Sequence, residues 1–360
     1  MRTVSWFSAS GSGLDWCNTQ ALRSGGTADG DSLLVRGTIM LECHLPEITR
    51  PEPLLLYSQG GDWPLRLAIQ AVPGGGLSFV LEQCGAVLHQ TLNPTSSGRA
   101  GRLRLSYAWD APARTGQLTL EQPDGGQMQI AALADPKPWR LRDLQALAGP
   151  LGYRGTSVEY LALSAKVEPA GPAPGLLPAT PIAVPQGYRA LGCLNRGDLV
   201  LTSGGAAVPV LQVVERQVPA LGTFAPVRLR APYFGLLQDI QVAPFQRLVL
   251  TGSEVEYLFG KPAVLVPAGN LLGTGTAQPG QAGAPLITYC QAVLPDHEPL
   301  IAAGSMTESL YLGRLRRDPQ RLAASLVAPH GAAALPEHRQ PKFPVLRAFD
   351  AAVLADRRTA

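Results

Sequence analysis

Gly175-Leu176-Leu177-Pro178-Ala179-Thr180-Pro181-Ile182 opens the second half of the chain, with Asn195-Arg196-Gly197-Asp198-Leu199-Val200-Leu201-Thr202 close behind it. The second run is a Gly-Asp turn leading into a strand-like segment. Directly before Gly175 lies Glu168-Pro169-Ala170-Gly171-Pro172-Ala173-Pro174, whose prolines make it stiff and extended. This connector is expected to be exposed and open to proteases. A domain boundary therefore falls near residue 174, and the two sides can be read separately.

Upstream, residues 1–168 read as all-β. Leu33–Leu45 and Leu54–Gln59 are strand-like, and Leu65–Val72 runs through the turn Pro73-Gly74-Gly75-Gly76 into Leu77–Glu82. Along Arg102–Tyr107 the residues Leu103, Leu105 and Tyr107 share one face, and Arg102, Arg104 and Ser106 share the other. Gln117–Glu121, the turn Pro123-Asp124-Gly125-Gly126 and Gln127–Ala131 form another hairpin, and Val158–Lys166 is a closing strand. Many short strands with turns at this spacing predict a β-sandwich.

Downstream, residues 175–316 are again short strands: Asp198–Thr202, Val208–Gln217, Val227–Arg230, Asp239–Val242, Arg247–Leu250, Ala263–Pro267 and Leu286–Gln291. Residues 317–360 change character. Asp318-Pro319 is an N-cap and first-turn pair opening a short helix towards Val327. Val345–Arg357 reads as an amphipathic helix with Leu346, Phe349, Val353 and Leu354 on one face.

A chain of 360 residues is long enough for two cores. The formal charge is only +3, so neither a nucleic-acid partner nor an acidic membrane surface is implied. Lys137, Lys166, Lys261 and Lys342 are the only lysines; the dominance of arginine suits a GC-rich genome. Cys17, Cys43, Cys84, Cys193 and Cys290 have no paired metal-ligand spacing, so reduced, buried thiols are expected and no metal or cofactor. Met1–Trp6 begins no apolar signal segment, and no apolar run reaches the roughly 20 residues that span a bilayer. A chain that is cytoplasmic, or exported by a non-classical route, follows as an expectation.

The stretch from Gly175, with Asn195–Thr202, resembles the opening of bacterial Hint (Hedgehog/intein) domains, which begin Cys-Phe-x-x-Gly-Thr-x-Ile and continue through Pro-Gly-Asp-x-Val. The resemblance puts Gly175 at the family's nucleophilic cysteine, and glycine has no side chain with which to attack. It also implies that Ala243-Pro244-Phe245-Gln246-Arg247 corresponds to the family's Ser-Pro-x-His-Arg. Ala243 then replaces a hydroxyl, and Gln246 replaces the histidine that acts as a general acid. Tyr289-Cys290-Gln291 and Asp296-His297-Glu298 correspond to Tyr-x-His and Asp-x-His-Glu, with Gln291 at the first histidine and His297 retained. Gly304-Ser305-Met306-Thr307-Glu308-Ser309 keeps the family's Gly-x-x-x-Glu-Ser ending. The implied fold is a compact Hint-like β module, and the implied state is a degenerate, non-enzymatic one.

In the first half, Arg102–Asp110 with Gln117–Glu121 resembles a segment of laminin-G or concanavalin-like jelly rolls. Such folds often bind sugars, so the expected partner is a protein or a glycan. Rival readings are self-cleavage through a nonstandard residue, with Cys193 and Cys290 as substitutes, and a carbohydrate-binding protein with a passenger second half. His297 beside Asp296 is expected to be a structural hydrogen-bonding histidine rather than part of a relay. His44 and His89 read as ordinary strand residues, and Asp29-Gly30-Asp31 as a surface turn rather than a calcium site.

Overall fold

The computed structural model describes residues 5–11, 14–18, 30–45, 48–93, 101–123, 127–341 and 343–359. Asp29 and the turn residues Asp124, Gly125 and Gly126 lie outside the described residues. The chain divides into two compact units, Met1–Ala170 and Gly171–Ala360.

The first unit is a jelly-roll-like sandwich of antiparallel sheets. One sheet has seven strands in the order Gln127–Ala134, Thr115–Gln122, Gly101–Asp110, Arg36–Leu45, Val158–Ser164, Trp6–Gly11, Leu14–Cys17. The other has five, in the order Tyr153–Arg154, Glu52–Gln59, Leu65–Val72, Gly76–Gln83, Ala86–Leu92. Alternate residues such as Ile39, Leu41, Leu67, Ile69, Phe79, Leu103 and Leu105 point between the sheets and make one buried core. The turn after Val72 needs positive φ at two residues, and Gly74 (φ 94°) and Gly75 (φ 92°) supply it.

Three expectations change here. The run from Leu33 to Leu45 is two strands, because Leu33–Leu34 pairs with Trp139–Arg140 whereas Arg36–Leu45 pairs with Gly101–Asp110 and Val158–Ser164. A helix, Leu141–Ala148, interrupts the all-β reading; it buries Leu141, Leu144 and Leu147 together with Asp143, which accepts a hydrogen bond from Tyr57 Oη at 3.1 Å. On the polar face of Gly101–Asp110, Arg104 and Ser106 are also buried. Arg104 lies in register between Glu42 and Glu121 on the neighbouring strands, at 3.0 and 3.4 Å. Burial works against its charge, but Tyr160, Glu42 and Glu121 outweigh it and hold the guanidinium charged beyond its usual range.

The Pro-rich connector is not exposed. Glu168 and Pro174 are buried, and no residue from 168 to 174 is freely exposed. Glu168 accepts hydrogen bonds from Ser5 Oγ (2.7 Å) and Ser164 Oγ (2.6 Å), and its N–H donates to Thr38 Oγ1 at 2.8 Å. Its side chain and backbone are thereby fastened to two strands and to Ser5, just before a third, which proline content alone does not reveal.

The second unit is also mostly β. Its largest sheet runs Gly187–Ala190, Pro181–Val184, Pro299–Ala302, Ser305–Glu308, Arg247–Thr251, Ala263–Pro267. A long ribbon pairs Gln212–Pro219 with Leu286–Val293, and a three-stranded sheet places Val227–Leu229 between Ile240–Val242 and Ala277–Pro279. The C-terminal segment belongs to the same body. Leu265 N donates to Pro344 O and Leu346 N to Leu265 O, both at 2.8 Å, so the tail covers the edge strand Ala263–Pro267. Asp318 caps the helix Pro319–Ala324 by accepting from Arg321 N at 3.0 Å. The last helix is Ala348–Thr359, and its buried stripe is Ala351, Leu354 and Ala355. Phe349 is 77% exposed, so it does not share the inward face assigned to it; two residues from Ala351, it lies about 200° around the helix from that stripe.

Candidate functional site

Gly175 sits where three segments meet. Its neighbour Leu176 bridges both Val242 and Cys290; Leu176 N donates to Cys290 O at 3.2 Å, and Cys290 N to Leu176 O at 2.7 Å. Side chains alternate along Leu286–Val293, so Cys290 points into the core and Gln291 to the opposite side. There Gln291 Oε1 accepts the Gly175 N–H at 3.2 Å. The Gly175 carbonyl is also occupied, by Ala243 N at 2.7 Å.

Ala243 begins a tight turn closed by Gln246 N donating to Ala243 O at 2.9 Å. The turn is held by Ala268 N on Gln246 O and Gly269 N on Pro244 O, both at 2.8 Å. This aims the Gln246 side chain at Gly175. A Cβ placed on Gly175 would lie 2.6 Å from Gln246 Oε1 and 2.9 Å from Gln246 Cβ. The space that any side chain at position 175 would need is filled.

The two glutamines converge on one acceptor. Gln246 Nε2 donates to Glu308 O at 3.2 Å and Gln291 Nε2 to the same oxygen at 2.5 Å. These partners set the Gln291 amide: turned over, its NH2 would face the Gly175 N–H and its oxygen the Glu308 carbonyl. Both glutamines are buried, at 4% and 2% exposure, so the network is shielded from water.

The sequence-assigned positions Gly175, Ala243, Gln246 and Gln291 are thus brought together, and His297 stands one residue away. Glu308 joins the two groups: its carbonyl faces the glutamines, while its carboxylate lies 3.1 Å from both Arg247 Nη1 and His297 Nε2. The His297 ring meets Tyr311 edge-on at 4.9 Å between centroids and lies 5.7 Å from His338. His338 accepts from Leu312 N at its Nδ1 and bonds Leu294 O through Nε2, both at 3.2 Å, which makes it a neutral Nε2–H imidazole. Its burial lowers its pKa, an effect to which His297 adds and which Leu294 O and Asp296 oppose.

Sequence reading did not assign roles to Arg247, Glu308, Tyr311 or His338. The Glu-Ser ending was the available signal for Glu308; His338 is distant in sequence and offers none. Of the five cysteines, Cys43 and Cys290 are buried, while Cys17, Cys84 and Cys193 are exposed, which corrects the expectation of uniformly buried thiols. Burial pushes the Cys43 thiol up to about 12. His89, on an edge strand, lies 3.3 Å from Ser78 Oγ. Among the described residues no group of three or more His, Cys, Asp or Glu side chains is arranged to hold a metal ion, and no helix is long and apolar enough to cross a membrane.

A family model described as Hint domain matches residues 174–314, the segment that contains this whole cluster except His338. The second unit carries a Hint domain. Among solved structures, the bacterial intein-like domain from Clostridium thermocellum is similar at 13% identity and a TM-score of 0.28, covering 38% of this chain and 99% of that one. The MchDnaB-1 intein is similar at 13% identity and a TM-score of 0.26, covering 37% and 98%. The Ruminococcus gnavus IT-sialidase CBM40 is similar at 17% identity and a TM-score of 0.24; the match covers 36% of this chain and 64%, under two thirds, of that one. No curated protein matches the chain.

Proposed function

We propose that this is a Hint-domain protein whose module does not cleave its own chain and serves a structural or interaction role, covalently joined to the jelly-roll-like unit. One observation carries the reading: at the nucleophile's position stands a glycine, and the volume beside it is occupied by Gln246. The proton-donor positions support it as well. Gln246 and Gln291 are amides, which donate hydrogen bonds but do not deliver protons near neutral pH. Cys290, the nearest thiol in sequence to these positions, is buried in the core on the side of its strand opposite Gln291, which counts against a substitute nucleophile. The test is intact mass after prolonged incubation with hydroxylamine or dithiothreitol, which intercept thioesters. The chain should stay whole; a fragment beginning at Gly175 would refute the reading.

A glycan partner for the first unit is the second reading, and one face favours it. The register aligns Tyr153, Leu56, Ala68, Val80 and His89 in a single row across the outer side of the five-stranded sheet. Tyr153 is 51% exposed at one end of this row, and polar residues Arg66, Glu82, Gln70 and Ser78 flank it. An exposed ring beside hydrogen-bonding groups suits the apolar face and hydroxyls of a sugar. A glycan array on the full chain and on Tyr153→Ala tests it; binding that ignores the substitution would exclude this face.

A further inference from the structure

Gln246 obstructs any side chain at Gly175, but Gln291 bears on the peptide bond itself. We infer that Gln291 is a polarity lock on the Pro174–Gly175 peptide: it accepts the Gly175 N–H and so occupies, with the wrong sense of hydrogen bonding, the place from which a leaving nitrogen would have to be protonated. The inference rests on the reading of the Hint unit as non-cleaving and adds a second, independent barrier to the missing nucleophile.

Cleavage at this peptide would run through a thioester. A thiolate at position 175 would add to the Pro174 carbonyl carbon, forming a C–S bond. The C–N bond would then break, its electron pair would stay on the Gly175 nitrogen, and that nitrogen would have to gain a proton. An external thiol would next displace the thioester and release residues 1–174 while the chain thiol is regenerated. The decisive proton must arrive at the nitrogen from a neighbouring acid.

In this chain the group facing that nitrogen is Gln291 Oε1, an acceptor 3.2 Å away. The NH2 of the same amide is committed to Glu308 O at 2.5 Å, so the side chain does not rotate without breaking two buried hydrogen bonds. Gln246, the other amide at the site, also spends its NH2 on Glu308 O and on Arg247 O. No donor is therefore left facing the Gly175 nitrogen among the groups placed here. Gln291 is a positioning residue: it holds the peptide in its intact state.

Two arms test this. In the native chain, amide hydrogen exchange should show Gly175 protected. Gln291→Met should speed Gly175 exchange by about five- to tenfold, the worth of one hydrogen bond, while the Ala243 amide, which bonds Gly175 O, is unaffected. If Gln291→Met does not fold, Gln291→Glu, which keeps an oxygen acceptor, should leave Gly175 protected. Unchanged Gly175 exchange in Gln291→Met, or lost protection in a folded Gln291→Glu, would overturn the lock.

The second arm uses the full chain carrying Gly175→Cys, Ala243→Thr and Gln246→His, with and without Gln291→His, and follows thiol-induced cleavage by mass. With Gln291 retained the chain should stay intact. Adding Gln291→His should raise cleavage by about 100-fold or more. Equal cleavage in the two chains, or none in either, would overturn the claim. Cleavage of the unaltered chain would instead refute the non-cleaving reading, and the exchange arm would still decide the hydrogen bond.

Discussion

Gly175 and Gln246 share one small volume: a Cβ on the glycine would come within 2.9 Å of the glutamine's Cβ, closer than real side chains approach. The glycine is therefore a steric requirement of the present packing. Its φ is not in the left-handed region, so the requirement comes from the neighbour and not from the backbone.

Gly175→Ala should accordingly destabilise the Hint unit by about 1–3 kcal/mol, the usual cost of overpacking a buried position. Gln246→Gly in the same background should recover part of that loss by vacating the space. Urea denaturation of the four chains of this cycle measures it; additive effects of the two substitutions would mean that the volumes do not conflict.

Removing Arg104 should be more damaging than removing any surface arginine. Arg104→Met leaves Glu42 and Glu121 buried without their cation, which should cost about 3–5 kcal/mol. Replacing all three with apolar residues of similar size should restore most of the stability. By contrast, Arg114→Met breaks a pair with Asp135 that is exposed on both sides and should change little. Thermal and urea unfolding of the variants distinguish these outcomes.

His338 predicts a pH dependence. Its folded pKa is lowered from an ordinary value of 6.5, so the unfolded chain takes up the proton first. This contribution to stability is intact above pH 6.5 and declines as pH falls from there towards the lower folded value. Protonated Nδ1 also loses its bond from the Leu312 N–H. Unfolding titrations of the native chain and of His338→Gln should show a smaller slope below pH 6.5 in the variant; identical slopes would mean that His338 does not set this pH dependence.

Residues 168–174 should resist proteases in the native protein despite their prolines and small residues. Thr38→Val removes the hydroxyl that accepts from Glu168 N and donates to Lys166 O, at 2.8 Å each, and should increase nicking near the connector. Peptide mapping after brief digestion reads the outcome. Rapid cleavage between 168 and 174 in the unaltered chain would show that the Glu168 anchor does not hold it.

The all-β character, most of the strands, a jelly-roll-like first half and the Hint resemblance were legible in the order of residues alone. Period-two alternation, glycine turns and ordered motifs are local signals, and they survive in a string of residues. That order also placed Gly175, Ala243, Gln246 and Gln291 at matching positions of one motif series. What those residues do to each other was decided only in three dimensions. That Gln246 fills the volume beside Gly175, and that Gln291 accepts the Gly175 N–H, depends on a turn at 243–246 and a strand at 286–293 converging on one glycine. Glu308 became a hub because its strand, Ser305–Glu308, presents a carbonyl to one group and a carboxylate to another. The buried Arg104, the anchored Glu168 and the outward Phe349 escaped the sequence for the same reason: burial depends on which surfaces meet, and the residues that meet here lie tens to hundreds of positions apart.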